Sequence, residues 1–239
     1  MLRTHSPSVL GVAVLGLALV LPAAASSQEM KGQLKIGLHK VKLEKGKLYQ
    51  VIVDSATTPP PLATLDYKQG TIVSVHDQNI QNYKSYLLPS KDDTFNFYVL
   101  PGFNQPDAET IDYTLKLKAV AFDKPLVEEK NKLTDKDMTY LPPPENFGPK
   151  NVFYKPYKVQ LKAGKLVVID MVRSDKTMDP YLFLEGPDGK IVMQDDDSGG
   201  DRNARILYMP QKDGEYRVIA TTLDRTTGGY SITVRSVKD

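Results

Sequence analysis

Cysteine and tryptophan are both missing from the 239 residues. Without cysteine there can be no disulfide, no thiolate zinc site, no cysteine nucleophile and no lipid-bearing cysteine anchor. Without tryptophan, an aromatic platform for sugars or peptides would have to come from the 13 tyrosines, most of which fall where strands would bury them. Histidine is nearly absent as well, with only His5, His39 and His76, which limits imidazole acid–base chemistry. No large excess of either charge exists: 31 Lys and Arg stand against 29 Asp and Glu. A basic, phosphate-tracking surface is therefore not expected, and nucleic acid is not an expected partner.

Long apolar runs are confined to one place. Arg3 and His5 precede the apolar residues 9–21, and Pro22, Ala23, Ala24, Ala25 and Ser26 follow. A basic start, a short apolar stretch and small residues are the marks of a secretory signal peptide. Thirteen apolar residues fall short of the roughly 20 that span a bilayer. The expectation is a leader over residues 1–25, a secreted or periplasmic product, and no membrane span after cleavage. Setting Arg3 aside with the leader leaves 30 basic against 29 acidic residues, a net charge of +1.

The remaining sequence repeats itself. VKLEKGKLYQVIV, residues 41–53, aligns without gaps to VQLKAGKLVVIDM, residues 159–171, sharing Val41/Val159, Leu43/Leu161, Gly46/Gly164, Lys47/Lys165 and Leu48/Leu166. DYTLKL at 112–117 matches GYSITV at 229–234 at almost the same offset. Two related units of about 90 residues are the simplest account.

Each copy reads as β-structure. Tyr157, Val159 and Leu161 alternate with Lys158, Gln160 and Lys162, the period of two that a strand with one buried face shows. A turn at Ala163, Gly164 and Lys165 leads into the nearly continuous apolar run 166–172, as for a central strand. Segments 181–185 and 190–194 flank Gly186, Pro187, Asp188 and Gly189, a hairpin signal. Further strands are expected at 204–209, 215–221 and 229–236, with Tyr216, Val218, Ala220, Tyr230, Ile232 and Val234 inward. In the first copy, Tyr83, Tyr86, Phe95, Phe97 and Tyr98 read as core. The predicted fold is all-β: two tandem antiparallel β-sandwich, jelly-roll-like domains over 31–121 and 151–239. The charged, proline-bearing residues 122–150 would join them as a polyproline II spacer with at most a helical turn near 130–137.

The second copy, residues 157–234, resembles the bacterial pre-peptidase C-terminal domain, a jelly-roll-like sandwich found behind the catalytic domains of secreted peptidases. The features that carry the resemblance are the turn at Leu161, Lys162, Ala163 and Gly164; Met178, Asp179, Pro180, Tyr181 and Leu182; the hairpin GPDG at 186–189; Asp195, Asp196 and Asp197; Asp213, Gly214, Glu215 and Tyr216; and Gly228, Gly229 and Tyr230. The first copy is a degenerate member, with Leu62, Ala63, Thr64 and Leu65 in place of the Asp-Pro-Tyr-Leu stretch and Asp77, Gln78 and Asn79 in place of the acidic triplet. The resemblance implies association with secreted peptidases or surface material.

Asp195, Asp196, Asp197 and Asp201 place four carboxylates within seven residues. Like charges so close repel unless solvated, hydrogen-bonded or bridged by a cation. Calcium takes about six to eight oxygen ligands of this kind, and Asp179, Asp195 and Asp197 are the candidate ligands. The spacing does not match the twelve-residue calcium loop, and a polar turn in which one aspartate bonds backbone amides is the alternative. Asp196, Ser198 and Asp201 are candidate loop contacts.

Catalytic signatures are missing. No GxSxG elbow, HExxH helix, GxxxxGK[ST] loop or GxGxxG turn occurs. Asp197, Ser198, Gly199 and Gly200 resemble a serine-peptidase nucleophile loop, yet such a serine needs a histidine base, and His39 aligns with Tyr157 on an amphipathic strand. The expected function is a secreted, non-catalytic binding, targeting or accessory module, acting on a secreted protein or an extracellular or surface polymer through loops 174–180 and 194–203. The alternative is a small metal-assisted hydrolase using the acids at 195–201.

Overall fold

Alternating side chains make strands that must bury one face. The computed structural model describes residues 27–33, 37–55, 62–65, 74–76, 83–100, 112–142 and 148–238. Among them there are antiparallel strands and turns, and no helix. The expected leader, residues 1–25, lies outside the described residues.

The first half contributes β1 (Ser27–Gln33), β2 (Gly37–Leu43), β3 (Leu48–Ser55), β4 (Leu62–Leu65), β5 (Ser74–His76), β6 (Tyr83–Leu87), β7 (Asp93–Leu100) and β8 (Asp112–Val120). One sheet runs β1-β8-β3-β6-β5 and the other β2-β7-β4. Val41, Val51, Phe95, Phe97, Val99 and Leu115 fill the space between them. Phe95 and Phe97 are core as expected, while Tyr98 is half-buried and the Tyr83 side chain lies outside the described residues.

The second half contributes β9 (Val127–Leu133), β10 (Thr139–Tyr140), β11 (Val152–Phe153), β12 (Lys155–Leu161), β13 (Val167–Arg173), β14 (Pro180–Glu185), β15 (Ile191–Asp195), β16 (Ala204–Tyr208), β17 (Gly214–Thr222) and β18 (Gly228–Ser236). Here the sheets run β12-β17-β14-β15 and β16-β13-β18-β9. Tyr216, Val218, Ala220, Tyr230, Ile232 and Val234 all enter the core between them, as the period of two predicts. The β14–β15 connection is the hairpin at Gly186 to Gly189, closed by Gly189 N donating to Gly186 O at 2.9 Å.

Seven strands keep the same order in each half, β4-β7-β2 and β14-β17-β12 on one side and β6-β3-β8-β1 and β16-β13-β18-β9 on the other, while β5 adjoins β6 in the first half and β15 adjoins β14 in the second. Local chemistry repeats too. Gly46 and Gly164 both turn the chain with φ near 73° and 72°, a conformation that costs glycine little. Their amides donate to Pro89 O at 3.0 Å and Pro210 O at 2.8 Å. The preceding amides, Lys45 and Ala163, donate to Asp92 and Asp213. In the cores, His39 Nε2 meets Tyr113 Oη at 2.7 Å, and its counterpart Tyr157 Oη meets Tyr230 Oη at 2.8 Å.

Residues 122–150 differ from the expected spacer. Phe122 bridges Val237, and β9 pairs along β18 from Leu133↔Gly228 to Val234↔Val127, in the place β1 holds beside β8. The sequence VEEKNKL hides this because an edge strand buries little: Leu133 is buried, Val127 and Asn131 are half-buried, and the charged residues face water. The region expected as a helical turn is strand to Leu133 and then a turn at Asp135 and Lys136. Beyond it, β10 and β11 pair and lay Tyr140 and Val152 over Tyr181, Phe183 and Ile219 on the outer face of β14 and β17. Tyr140 Oη donates to the buried Glu185 Oε1 at 2.6 Å. Most of the proline-rich stretch, residues 143–147, lies outside the described residues.

A third apolar cluster, Leu48, Leu88, Leu166, Val168, Leu207 and Val237, joins the two sandwiches back to back. This is why β13 reads as a continuous apolar run: Val167, Ile169 and Met171 face one core and Val168 the junction. Within the junction, Asp170 accepts from Arg205 Nε at 2.5 Å and Arg235 Nη2 at 2.6 Å, and Arg205 Nη1 reaches Leu88 O at 3.3 Å.

Candidate functional site at the acidic loop

Two loops at one end of the second sandwich, residues 174–180 and 194–203, are held together by arginine. Arg173, the last residue of β13, donates through Nη1 to Lys176 O and Met178 O and through Nη2 to Asp201 Oδ1. Arg202 Nη1 lies 3.5 Å from Asp179 Oδ2. The second loop is a tight knot. Gly199 N donates to Asn203 O at 2.7 Å, and Asn203 Nδ2 donates back to Gly200 O at 2.7 Å. Asn203 Oδ1 in turn accepts the Arg173 amide. Gly200, Asp201 and Arg202 follow one another with φ of 77°, 52° and 56°. A left-handed arginine is uncommon, and this one carries its side chain toward Asp179.

The candidate metal ligands separate on inspection. Asp179, Asp196 and Asp197 each place one carboxylate oxygen within 4.8 Å of the others. Asp195 is not among them. β15 ends at Asp195 and the chain turns there, so Asp195 Oδ1 accepts the Arg205 amide at 2.7 Å and the Ser198 amide at 3.1 Å. Its place in the expected set is taken by Asp196. The backbone-binding alternative thus describes Asp195, and the like-charge cluster describes its neighbours.

Electrostatics mark the cluster further. Burial, with Asp197, Asp179 and Asp195 nearby, pushes the Asp196 carboxyl up to about 6. Asp179 is also raised, first by burial and then by the Asp197 and Asp224 charges, against the pull of Arg202. Asp195 is raised by burial despite its backbone bonds. Asp179 Oδ1, Asp196 Oδ1 and Gln194 Oε1 are buried acceptors without a hydrogen-bond partner. Buried carboxylate oxygens are ordinarily satisfied, so these donors fit a hard, oxygen-seeking cation such as calcium. Three carboxylates would supply part of its coordination shell.

The remaining candidates are placed differently. Asp201 is 86% exposed at its side chain and bound to Arg173. Ser198 uses its amide to cap Asp195, and His39 is engaged with Tyr113 in the first sandwich, where burial lowers its pKa. The His76 side chain and the first copy's counterpart of the triplet, residues 77–79, lie outside the described residues. Sequence reasoning missed Arg173, Arg202 and Asn203. Only the two arginines flanking an acid-rich loop could have signalled them.

Among the described residues no helix is long and apolar enough to cross a membrane. In comparisons with known proteins, no family model matches the chain and no curated protein matches it.

Proposed function

We propose that this is a secreted or periplasmic, non-catalytic accessory protein. In this reading the joined loops 174–180 and 194–203 form its contact surface for a secreted protein or an extracellular polymer, and calcium at Asp179, Asp196 and Asp197 fixes them. The observation that carries the proposal is the pair of buried, unpartnered carboxylate oxygens on Asp179 and Asp196, in a group where Asp179, Asp196 and Asp197 each bring one carboxylate oxygen within 4.8 Å of the others. A rigid sandwich presenting variable loops suits recognition, and the resemblance to the pre-peptidase C-terminal domain supports an association with secreted peptidases. The matching strand orders support reading the chain as tandem repeats whose units begin at β1 and β9. Export rests on the sequence of residues 1–25.

Thermal melts with calcium and with chelator test the site. An ion binding only the folded state at 100 times its dissociation constant adds about 2.7 kcal/mol. An unchanged midpoint removes calcium from the proposal. A metal-assisted hydrolase is the second reading, since carboxylates around one cation can also hold a water. It requires turnover of some substrate in a panel of esters, glycosides and peptides, lost in Asp197→Ala. The accessory reading expects no turnover.

A further inference from the structure

We propose that β9 is a dimerisation edge: two copies of the chain join through it as antiparallel neighbours about a two-fold axis, so that one sheet runs on through both. β9 closes the sheet β16-β13-β18-β9, and among the described residues it pairs with β18 alone. That ladder keeps one register over all seven residues of the strand, with no bulge. Proline, bulges and lysines are the usual devices that keep an edge from pairing. The edge strand of the facing sheet, β12, carries Pro156 together with Lys155 and Lys158. β9 has neither proline nor bulge, and it sets its lysines against glutamates.

The direction of its backbone groups follows from β18. Asp123 N donates to Ser236 O, and Ser174 N donates to Gly229 O. Even-numbered residues of β18 therefore turn their backbone groups toward the β9 side and odd-numbered ones toward β13. Glu129 and Asn131, opposite Ile232 and Tyr230, bond inward, and Glu128, Lys130 and Lys132 aim their N–H and C=O groups outward. Lys132 N agrees with this, donating locally to Asn131 Oδ1 at 2.9 Å. The side chains of Glu128, Lys130 and Lys132 are also exposed.

Centring the two-fold axis on Lys130 makes these outward groups meet as hydrogen-bonding pairs, with the Lys132 amide exchanging its local bond for one across the edge. Each Glu128 then lies opposite the partner's Lys132, and each Val127 opposite the partner's Leu133. Cross-strand pairs of opposite charge and of apolar residues both stabilise a sheet. Lys130 meets its own copy, a like-charge contact flanked diagonally by the two Glu128 side chains. Centring on Asn131 would instead oppose Lys130 to Lys132, and centring on Glu129 would set Glu129 against itself. The contact is self-complementary and closes at two copies.

The test is sedimentation equilibrium of the protein over about 10 μM to 1 mM, because a strand-sized contact belongs with small, weak interfaces. The expected result is a monomer–dimer equilibrium. Glu128→Lys and Lys132→Glu, each alone, turn both opposite-charge pairs into like-charge pairs and should weaken association by about tenfold or more. Mixing the two variants sets lysines against glutamates again and should restore the dimer. If either single variant does not fold, two others decide. The double variant Glu128→Lys with Lys132→Glu should dimerise, and Lys130→Pro, which removes an outward amide only, should not. Four results would overturn the proposal: a monomer at every concentration, a mixture that stays monomeric, variants that dimerise as the unaltered protein does, or open-ended growth such as β9 pairing with β1 of another copy would give.

Discussion

Replacing Asp170 with alanine should loosen the junction between the sandwiches. Its carboxylate is 8% exposed and accepts from both Arg205, 10% exposed, and Arg235. Removing it leaves two guanidinium groups facing each other without a counter-charge, and Arg205 cannot swing to water without giving up Leu88 O. Arg235 would keep its stacking on Phe122, 4.1 Å from the ring centroid. Breaking a buried pair by removing one partner costs about 3–5 kcal/mol. That is a large share of the roughly 5–15 kcal/mol that holds a typical protein folded. In a chain of this size each kcal/mol moves the midpoint by about 2–4 °C, so the melt should fall by about 6–20 °C. Differential scanning calorimetry is the assay, with the apolar triple replacement Asp170→Leu, Arg205→Met and Arg235→Met as control. Replacing all charged members with apolar residues is often nearly neutral, offset here by the Leu88 carbonyl losing its donor. A midpoint shift for Asp170→Ala below about 2 °C would refute the reasoning, because the two arginines would then not depend on that carboxylate.

The acidic loop gives two further predictions. With chelator present, the raised Asp196 carboxyl favours the folded state most below about pH 4, its ordinary value, and that contribution is lost as pH rises through about 6; melts across this window should show the slope, and Asp196→Asn should flatten it. Gly199→Ala would bring a β-carbon within 2.5 Å of Asn203 O, so it should open the knot and weaken calcium stabilisation, read as a smaller calcium-induced rise in midpoint than in the unaltered protein. In the core, Tyr230→Phe removes the hydroxyl that meets Tyr157 and should cost about 1 kcal/mol, seen as a lower denaturant midpoint with unchanged slope.

Much of the second sandwich was legible because β12 and β18 each bury one face, so that polarity alternates along them. β13 was legible for a different reason: both of its faces are covered, which removes the alternation and leaves an apolar run. β9 was not, since its neighbour-facing backbone bonds leave no mark on side-chain polarity and its charges imitate a linker. The equivalence of Asp92 and Asp213 was hidden as well, because both act through a backbone amide and the surrounding residues differ. At the candidate site, acid content pointed to the loop that gathers the carboxylates, but whether Asp195 or Asp196 joins Asp179 and Asp197 depends on where β15 stops and the chain turns. The arginines that join the loops reach their aspartates across 28 residues of sequence for Arg173 and 202 − 179 = 23 for Arg202, which local patterns do not encode.

Calorimetric titration of calcium into chelator-treated protein at neutral pH tests the central claim most directly. The account predicts one ion bound per chain, with binding abolished in a folded Asp196→Asn variant and retained in Asp201→Asn, whose carboxylate belongs to Arg173. No binding, or binding that Asp196→Asn leaves intact, would contradict it.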